Sequence, residues 1–584
     1  MPCGTILSLV VQNLKSPCKY RLISIFSGWV LWAVIVASSL LTAGSTIASG
    51  LASTVSGNLR SMVEDFQATG QISINGKQLI ANPIVINLYA GSGYQPLWEK
   101  GPTDDQLISQ IRMIEGDGLA PEGYHLSMLV HQDEKQGGSP TPHQQAQRDL
   151  LLTDALIWLA AHLYYGKVDP RLHHPRWPLP DTIDNQKVVD LIAKKIKTAQ
   201  VDTFIDSLRP HHPMYQRLMQ ALADYRKSED AGGWSEIPAG PLIEKGDRDP
   251  QVPLIRQRLL ATGDLSLTSA DSKDLFSEDL QDATCRFQDR HRIDTFAPGA
   301  DDCYGAVGAD TREQMNVPVK TRIDQIRINL ERARWVMHHL PSSFLLADIA
   351  NFSVVLVEDD QIIWRSRSQV GDAYRKTPVF RAAIRYMEIN PTWTVPPGIL
   401  DATVLPGLRK DPHGRLLKSY VVYDRNGKVV EKPEKIPWDR YAGTNLPYRL
   451  VQQPGPSNPM GQIKFIFPNP DFVFIHDTPK RDFFDLEKRD LSAGCIRIER
   501  PFELAKILLR LDGQAGTDHL QQILKSGRTE RIHLKKPFPV ILFYGTVSVD
   551  TKGVVHFRPD IYERDPELLE ALNASAGLWS KSLH

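Results

Sequence analysis

The sequence predicts a multidomain α+β chain, with a membrane segment, two helical modules and a strand-bearing C-terminal domain that carries an inserted lid. Three observations predict it. At 584 residues the chain is too long for one hydrophobic core, so three or more domains are expected. Helical periodicity marks the first part. Leu151–Tyr165 is strongly apolar and is stopped by Gly166, and Ile323, Ile326, Leu330, Ala333, Val336 and Leu340 follow the 3–4 spacing of one helix face. Strand signals take over later, in the hairpin Phe352–Val357 with Gln361–Trp364 and in the alternating run ending at His476.

In chain order, Lys15, Lys19 and Arg21 precede Leu22–Gly44, which carries no charge, and the next charged residue is Arg60. That run exceeds a signal-peptide core and can span a bilayer, and the basic residues before it keep the N-terminus in the cytoplasm. Residues 1–60 therefore read as a cytoplasmic N-terminus and an anchor, with the rest of the chain outside. Ala43, Gly44, Ser45, Ala48 and Ser49 keep a cleaved signal open as the competing reading. The cysteines fit export: Cys3 and Cys18 stay inside, Cys285 and Cys303 make a possible disulfide, and Cys495 is left as a free thiol. Lys+Arg equals Asp+Glu at 68 each, which gives no basic excess for nucleic acid. The histidine pairs at 173/174, 211/212 and 338/339 lack ligand-spaced partners, so no metal is expected.

Residues 61–240 read as a helical scaffold, with a Gly/Pro/Ser-rich linker at Gln136–His143. A second helical module, 242–319, carries Gly246, Val252, Leu254, Leu259, Gly263-Asp264-Leu265, Phe287-Gln288, Gly308 and Thr311. The amphipathic helix Thr321–Leu340, closed by Pro341, leads into a domain at 320–547. Phe352–Val357 and Gln361–Trp364 form a hairpin turning at Glu358–Asp360. Trp393, Pro396 and Pro397 suit a rigid loop entry. The stretch from about 400 to 453 is too long for a connection and reads as a lid, or as a mobile insertion without effect on turnover. Pro501–Leu511 is a helix with Pro at its first turn and Gly513 past its end, Pro537–Tyr544 is a closing strand, and 548–584 is a C-terminal tail.

The chemistry concentrates between Asp471 and Ile498. Phe472, Phe474 and His476 fall on one strand face, with Val473 and Ile475 on the other. The turn-like Ser492-Ala493-Gly494 delivers Cys495 into the apolar run Ile496–Ile498. A histidine beside a thiol takes its proton, and the imidazolium stabilises the thiolate. Gly494 leaves room for a carbonyl, and the N–H groups of Gly494 and Cys495 are candidate oxyanion donors. Arg497, two residues on, holds the loop or raises the local positive potential. A buried, inert cysteine near an unrelated histidine is the bland alternative.

His476-Asp477-Thr478, followed by Ser492-x-Gly494-Cys495-Ile496-Arg497 and preceded by Pro454-Gly455 through Asn458 to Gly461, resembles the L,D-transpeptidase (YkuD-type) catalytic domain. The resemblance extends to long YcbB-type members through Leu152-Thr153-Asp154-Ala155, Gly166–Pro170 and Tyr374–Pro397. Residues 242–319 are similar to the helical peptidoglycan-binding domain, with a departure at His291-Arg292-Ile293 and a purely structural bundle as the alternative.

The resemblance implies a mainly β catalytic domain, Cys495 as nucleophile, His476 as base, the Asp477 carbonyl orienting the imidazole where many members have glycine next, and Ser492, Arg497 and Thr478 supporting the site. It implies no cofactor. The substrates would be peptidoglycan tetrapeptide stems as donor and acceptor, joined 3→3 through a thioester, in the periplasm at the inner membrane, with other cell-wall synthesis proteins as partners and carbapenems as acylating agents. L,D-carboxypeptidase action, lipoprotein attachment to the wall, and a non-catalytic wall-binding scaffold remain the other readings.

Overall fold

A computed structural model describes residues 54–574 apart from 81, 99–100, 135–138, 176, 179–184, 267–272, 294–302, 339 and 515–516. The apolar run 22–44 lies outside the described residues, and among those described no helix is long and apolar enough to cross a membrane.

A helix lies across the expected boundary at 61. Helix Val55–Thr69 starts on Thr54, whose hydroxyl accepts the Gly57 N–H at 3.0 Å, and it buries Leu59, Val63 and Phe66. A hairpin follows, β1 (Gln71–Ile74) with β2 (Lys77–Ile80). The helix Pro142–Tyr165 is the scaffold's centre and is buried on nearly all sides. It starts inside the expected linker because Thr141 and Gln144 form a capping box and Pro142 takes the first turn.

The helix Val319–Met337 joins scaffold to catalytic domain. Its Glu331 and Arg334 are fully buried and pair at 2.5 Å. Arg334 also donates to Asp117 O at 2.7 Å and to Tyr215 Oη at 3.0 Å. Asp117 accepts from Tyr215 Oη at 2.9 Å and from Arg209 Nε at 3.0 Å, and Glu331 accepts the Val168 N–H at 2.7 Å. Each of these buried charges meets partners from several elements, which offsets part of the desolvation cost that an isolated charge would carry. The module at 242–319 has its own core, including Val252, Ile255, Phe276, Leu280, Phe287 and Val307, and contains the Cys285–Cys303 disulfide with a Cα–Cα separation of 5.9 Å.

Fourteen further strands follow. In chain order they are β3 (Ser343–Asp348), β4 (Ser353–Glu358), β5 (Gln361–Gly371), β6 (Phe380–Ile389), β7 (Trp393–Thr394), β8 (Tyr420–Tyr423), β9 (Arg449–Gln452), β10 (Ile463–Ile466), β11 (Ile475–His476), β12 (Asp490–Ser492), β13 (Ile496–Ile498), β14 (Glu530–Phe543), β15 (Val547–Val549) and β16 (Val555–Phe557). The main sheet runs β12-β5-β13-β11-β10-β6-β14-β3-β4, and β4 also pairs with β5. The sheet therefore closes on itself, with β12 lying alongside β5 outside the ring. Closure removes exposed edges and fixes every register in the ring. The expected β4–β5 hairpin is present, with Asp359 and Asp360 at φ 46° and 62° in the turn.

The stretch expected to be a lid is folded as a subdomain. It starts at Trp393 rather than near 400, because β7 pairs with β9 in a β7-β9-β8 sheet. Val395, Leu400, Leu405, Leu408, Trp438 and Leu450 form its separate core. The C-terminal segment is likewise folded through residue 574: β15 and β16 pair, and Tyr562, Leu568 and Leu572 are buried.

Candidate active site

The site is built on a row of residues in register across the ring. Glu388 of β6 pairs with Lys464 of β10, Lys464 with His476 of β11, His476 with Arg497 of β13, and Arg497 with Gln369 of β5. Side chains in register on neighbouring strands share one face of a sheet. Cys495 stands just before β13, two residues from Arg497, and so shares that face.

β11 is shorter than the alternation implied. Phe472 adopts φ 54° and is 76% exposed, so it does not extend the strand. Asn469 holds the turn: its amide donates to Val473 O at 2.7 Å and its carbonyl accepts the Val473 N–H at 3.1 Å. Val473 and Ile475 on one face are buried, and His476 on the other is buried too.

His476 Nδ1 donates to the Asp477 carbonyl at 2.5 Å. A carbonyl can only accept, so the neutral ring carries its proton on Nδ1 and leaves Nε2 bare. Burial pushes the imidazole down to about 3, with the Arg497 and Lys464 charges adding, while the carbonyls of Asp477 and Met460 favour the protonated ring. The Asp477 carboxylate accepts the Gln462 N–H at 2.9 Å and pairs with Arg481 at 3.0 Å. That second job accounts for an aspartate after the histidine. Its space is provided by Gly461, where a Cβ would lie 2.4 Å from the carboxylate. Thr478 is buried, and its Oγ1 accepts the Lys480 N–H at 3.2 Å.

Cys495 is half-buried, and its thiol donates to Phe472 O at 3.9 Å. Burial pushes the thiol up, against the Phe474 N–H and the Lys464 and Arg497 charges. Among the described residues no hydrogen bond joins thiol to imidazole, so the pair rests uncharged. Ser492 Oγ donates to Cys495 O at 2.5 Å and accepts the Gly494 N–H at 3.1 Å. The Gly494 amide is thus committed to its own turn. Arg497 Nη1 donates to Gln369 Oε1 at 3.2 Å, and its Nε has no hydrogen-bond partner among the described residues.

A second layer, not anticipated from the sequence, braces the turn. Thr377 Oγ1 donates to Gly494 O at 2.9 Å and accepts the Gly371 N–H at 2.8 Å. Tyr562 Oη donates to Gly371 O at 2.6 Å and accepts the Thr377 N–H at 3.1 Å. At Gly371 a Cβ would fall 2.0 Å from Arg375 O and 3.0 Å from Gly494 Cα, so only glycine permits this approach. Lys464, its amine 3.8 Å from the centroid of the Phe474 ring, is the other missed residue. A lone lysine inside Ile463–Ile466 was its sequence signal. Thr377 and Tyr562 had none.

Residues 83–222 match a scaffold domain, and residues 342–533 match the L,D-transpeptidase catalytic domain. The chain carries a YkuD L,D-transpeptidase catalytic domain joined to a scaffold domain. A Haemophilus influenzae protein named "Putative L,D-transpeptidase" is 31% identical over 258 residues, 44% of this chain and 50% of that protein, so the chain spans about half the length of that curated relative. The crystal structure of the L,D-transpeptidase from Xylanimonas cellulosilytica is 13% identical, covering 53% of this chain and 100% of that one, with a TM-score of 0.16. The structure of the Ldtfm-avibactam carbamoyl enzyme is 12% identical over 56% and 98%, with a TM-score of 0.17.

Proposed function

We propose that this protein is a peptidoglycan L,D-transpeptidase that forms 3→3 cross-links between stem peptides. The observation that carries the reading is the parallel pairing of β11 with β13, which sets His476 beside Arg497 with Cys495 on the same face. Cys495 Sγ attacks the carbonyl of the third residue of a tetrapeptide stem, and its proton passes to His476 Nε2. The imidazolium forms only transiently, since burial and the Arg497 charge disfavour it and the Asp477 and Met460 carbonyls offset this in part. It gives the proton to the departing amine of D-alanine, leaving a thioester. A side-chain amine of a second stem, deprotonated by the same imidazole, attacks the thioester and restores the thiol. The oxyanion is met by the Cys495 N–H, since the Gly494 amide is occupied.

The cleaved bond's energy is held in the thioester, so no nucleotide, metal or organic cofactor enters the reaction. The lid, with a core of its own, excludes water from the thioester and favours an amine acceptor. The protein works in the periplasm, tethered by residues 22–44, with the 242–319 module holding it to the wall.

The test is intact mass of the full chain after incubation with disaccharide-tetrapeptide, wild type beside Cys495→Ala. A Cys495-dependent adduct with released D-alanine and cross-linked dimer supports the proposal. Tripeptide without dimer makes the protein a carboxypeptidase. No adduct and no D-alanine, from folded protein that still binds sacculi, makes it a non-catalytic scaffold.

A further inference from the structure

A cavity of about 380 Å³ lies away from the thiol, where the helical module, the barrel and the C-terminal segment meet. Its walls carry Arg292, Arg365, Arg367, Arg489, Arg500 and Arg558, with Glu499 as the lining carboxylate. The charge is only partly compensated. Arg367 pairs with Glu499 and Asp485, and Arg500 with Glu503. Among the described residues no carboxylate pairs with Arg292, Arg489 or Arg558. Their partners are neutral: Arg292 Nη2 donates to Asn351 O at 2.8 Å, Arg558 Nε to Asn351 Oδ1 at 2.6 Å, and Arg489 Nη1 to Leu486 O at 2.6 Å.

These guanidiniums are held close together. Arg292 and Arg489 both sit over the Phe352 ring, at 5.2 and 5.4 Å from its centroid. Arg292 Nη2 also reaches the Asn351 Oδ1 that Arg558 binds, at 3.4 Å. Burial and this crowding push Arg489 and Arg558 each down to about 10. Arg292 Nη1 is buried with no hydrogen-bond partner among the described residues. The charges of Asp348, Asp289 and Glu487 act on these arginines from nearby, but among the described residues none of the three forms an ion pair with them. Like charges gathered in a partly buried cavity, one with an unused donor, cost stability unless an anion joins them.

We propose that this cavity binds a phosphate-type oxyanion. Arg292, Arg489, Arg500 and Arg558 come from four separate segments and Arg365 and Arg367 from β5; this many guanidiniums around one cavity suit an oxyanion with three or four oxygens better than the two coplanar oxygens of one carboxylate. The site goes beyond the proposed transfer reaction and does not depend on it. It touches the catalytic segment at Arg489, whose carbonyl accepts the Val370 N–H at 2.9 Å immediately before β12.

The test is calorimetric titration of the full chain in detergent with inorganic pyrophosphate, and separately with citrate. Saturable pyrophosphate binding that weakens with salt is expected, with Kd raised about tenfold in Arg292→Gln. Arg365→Gln, an exposed side chain that makes no fold contact described above, is expected to weaken binding about threefold and guards against misfolding of the first variant. No saturation up to about 10 mM, equal affinity in both variants and wild type, or citrate binding tighter than pyrophosphate each overturns the proposal.

Discussion

Tyr562→Phe isolates one hydroxyl that reaches the nucleophile turn from the far end of the chain. The substitution keeps the ring, which stacks on Tyr544 at 5.5 Å, and removes only Oη. Two hydrogen bonds go with it, to Gly371 O at 2.6 Å and from Thr377 N at 3.1 Å. Tyr562 is 1% exposed and Thr377 0%, so water does not replace the lost partner. A buried group left unpaired costs about 1–3 kcal/mol, which for two groups gives a loss of roughly 2–4 kcal/mol after local relaxation. The loss is expected as a lowered urea midpoint with unchanged slope. Because Thr377 Oγ1 holds Gly494 O, acylation of Cys495 is expected to slow by about tenfold or more, read as the single-turnover rate of adduct formation by mass. A variant within about 0.5 kcal/mol of wild type that acylates at the wild-type rate refutes the bracing role of Tyr562.

Three other outcomes are expected. Alkylation of Cys495 by iodoacetamide rises with pH to an inflection above the ordinary thiol value of about 8.5, because burial favours the neutral thiol and His476, neutral above about 3, supplies no imidazolium; pH-independent reactivity between about 5 and 7 refutes this. Ser492→Ala removes the hydroxyl that ties Gly494 N to Cys495 O and slows acylation by about 10–100-fold, measured by stopped adduct formation; a change under about twofold counts against it. Gly461→Ala forces a Cβ against the Asp477 carboxylate at φ 62° and destabilises by about 2 kcal/mol more than Gly553→Ala, at φ 85° with open space, compared by urea midpoints; equal midpoints refute the clash.

Local signals survived the passage from sequence to structure. The helix Pro501–Leu511, the turn at Asp359–Asp360 and the pairing of an imidazole strand with a thiol turn all rest on residues near one another in the chain. Cross-strand register was invisible. Nothing in the sequence aligns Gln369, Lys464 and His476, because strand order follows from ring closure rather than from any single segment. The first half of β14 was missed for another reason. From Glu530 to Lys536 only Ile532 and Leu534 point inward, and the charges between them hide the alternation. The Gly494 amide shows the limit at the site itself: a donor is named by its position, but Ser492 decides where it points.

The ring closes where β14 lies parallel to β3, with Val540 opposite Leu345. Its first and last strands are thus neighbours, and the chain between them includes the whole lid. Bringing such distant segments together carries a loop-closure entropy that must be met before the contact returns any energy. The lid's core, by contrast, uses one contiguous stretch from Val395 to Leu450. Assembly therefore runs inward: the inserted subdomain folds on its own local contacts and shortens the loop, and the barrel seals last. Pulsed hydrogen exchange during refolding reads this directly, with β9 amides protected before those of β3; the reverse order contradicts it. A nascent chain would hold Cys495 outside its finished site until the final strand arrives.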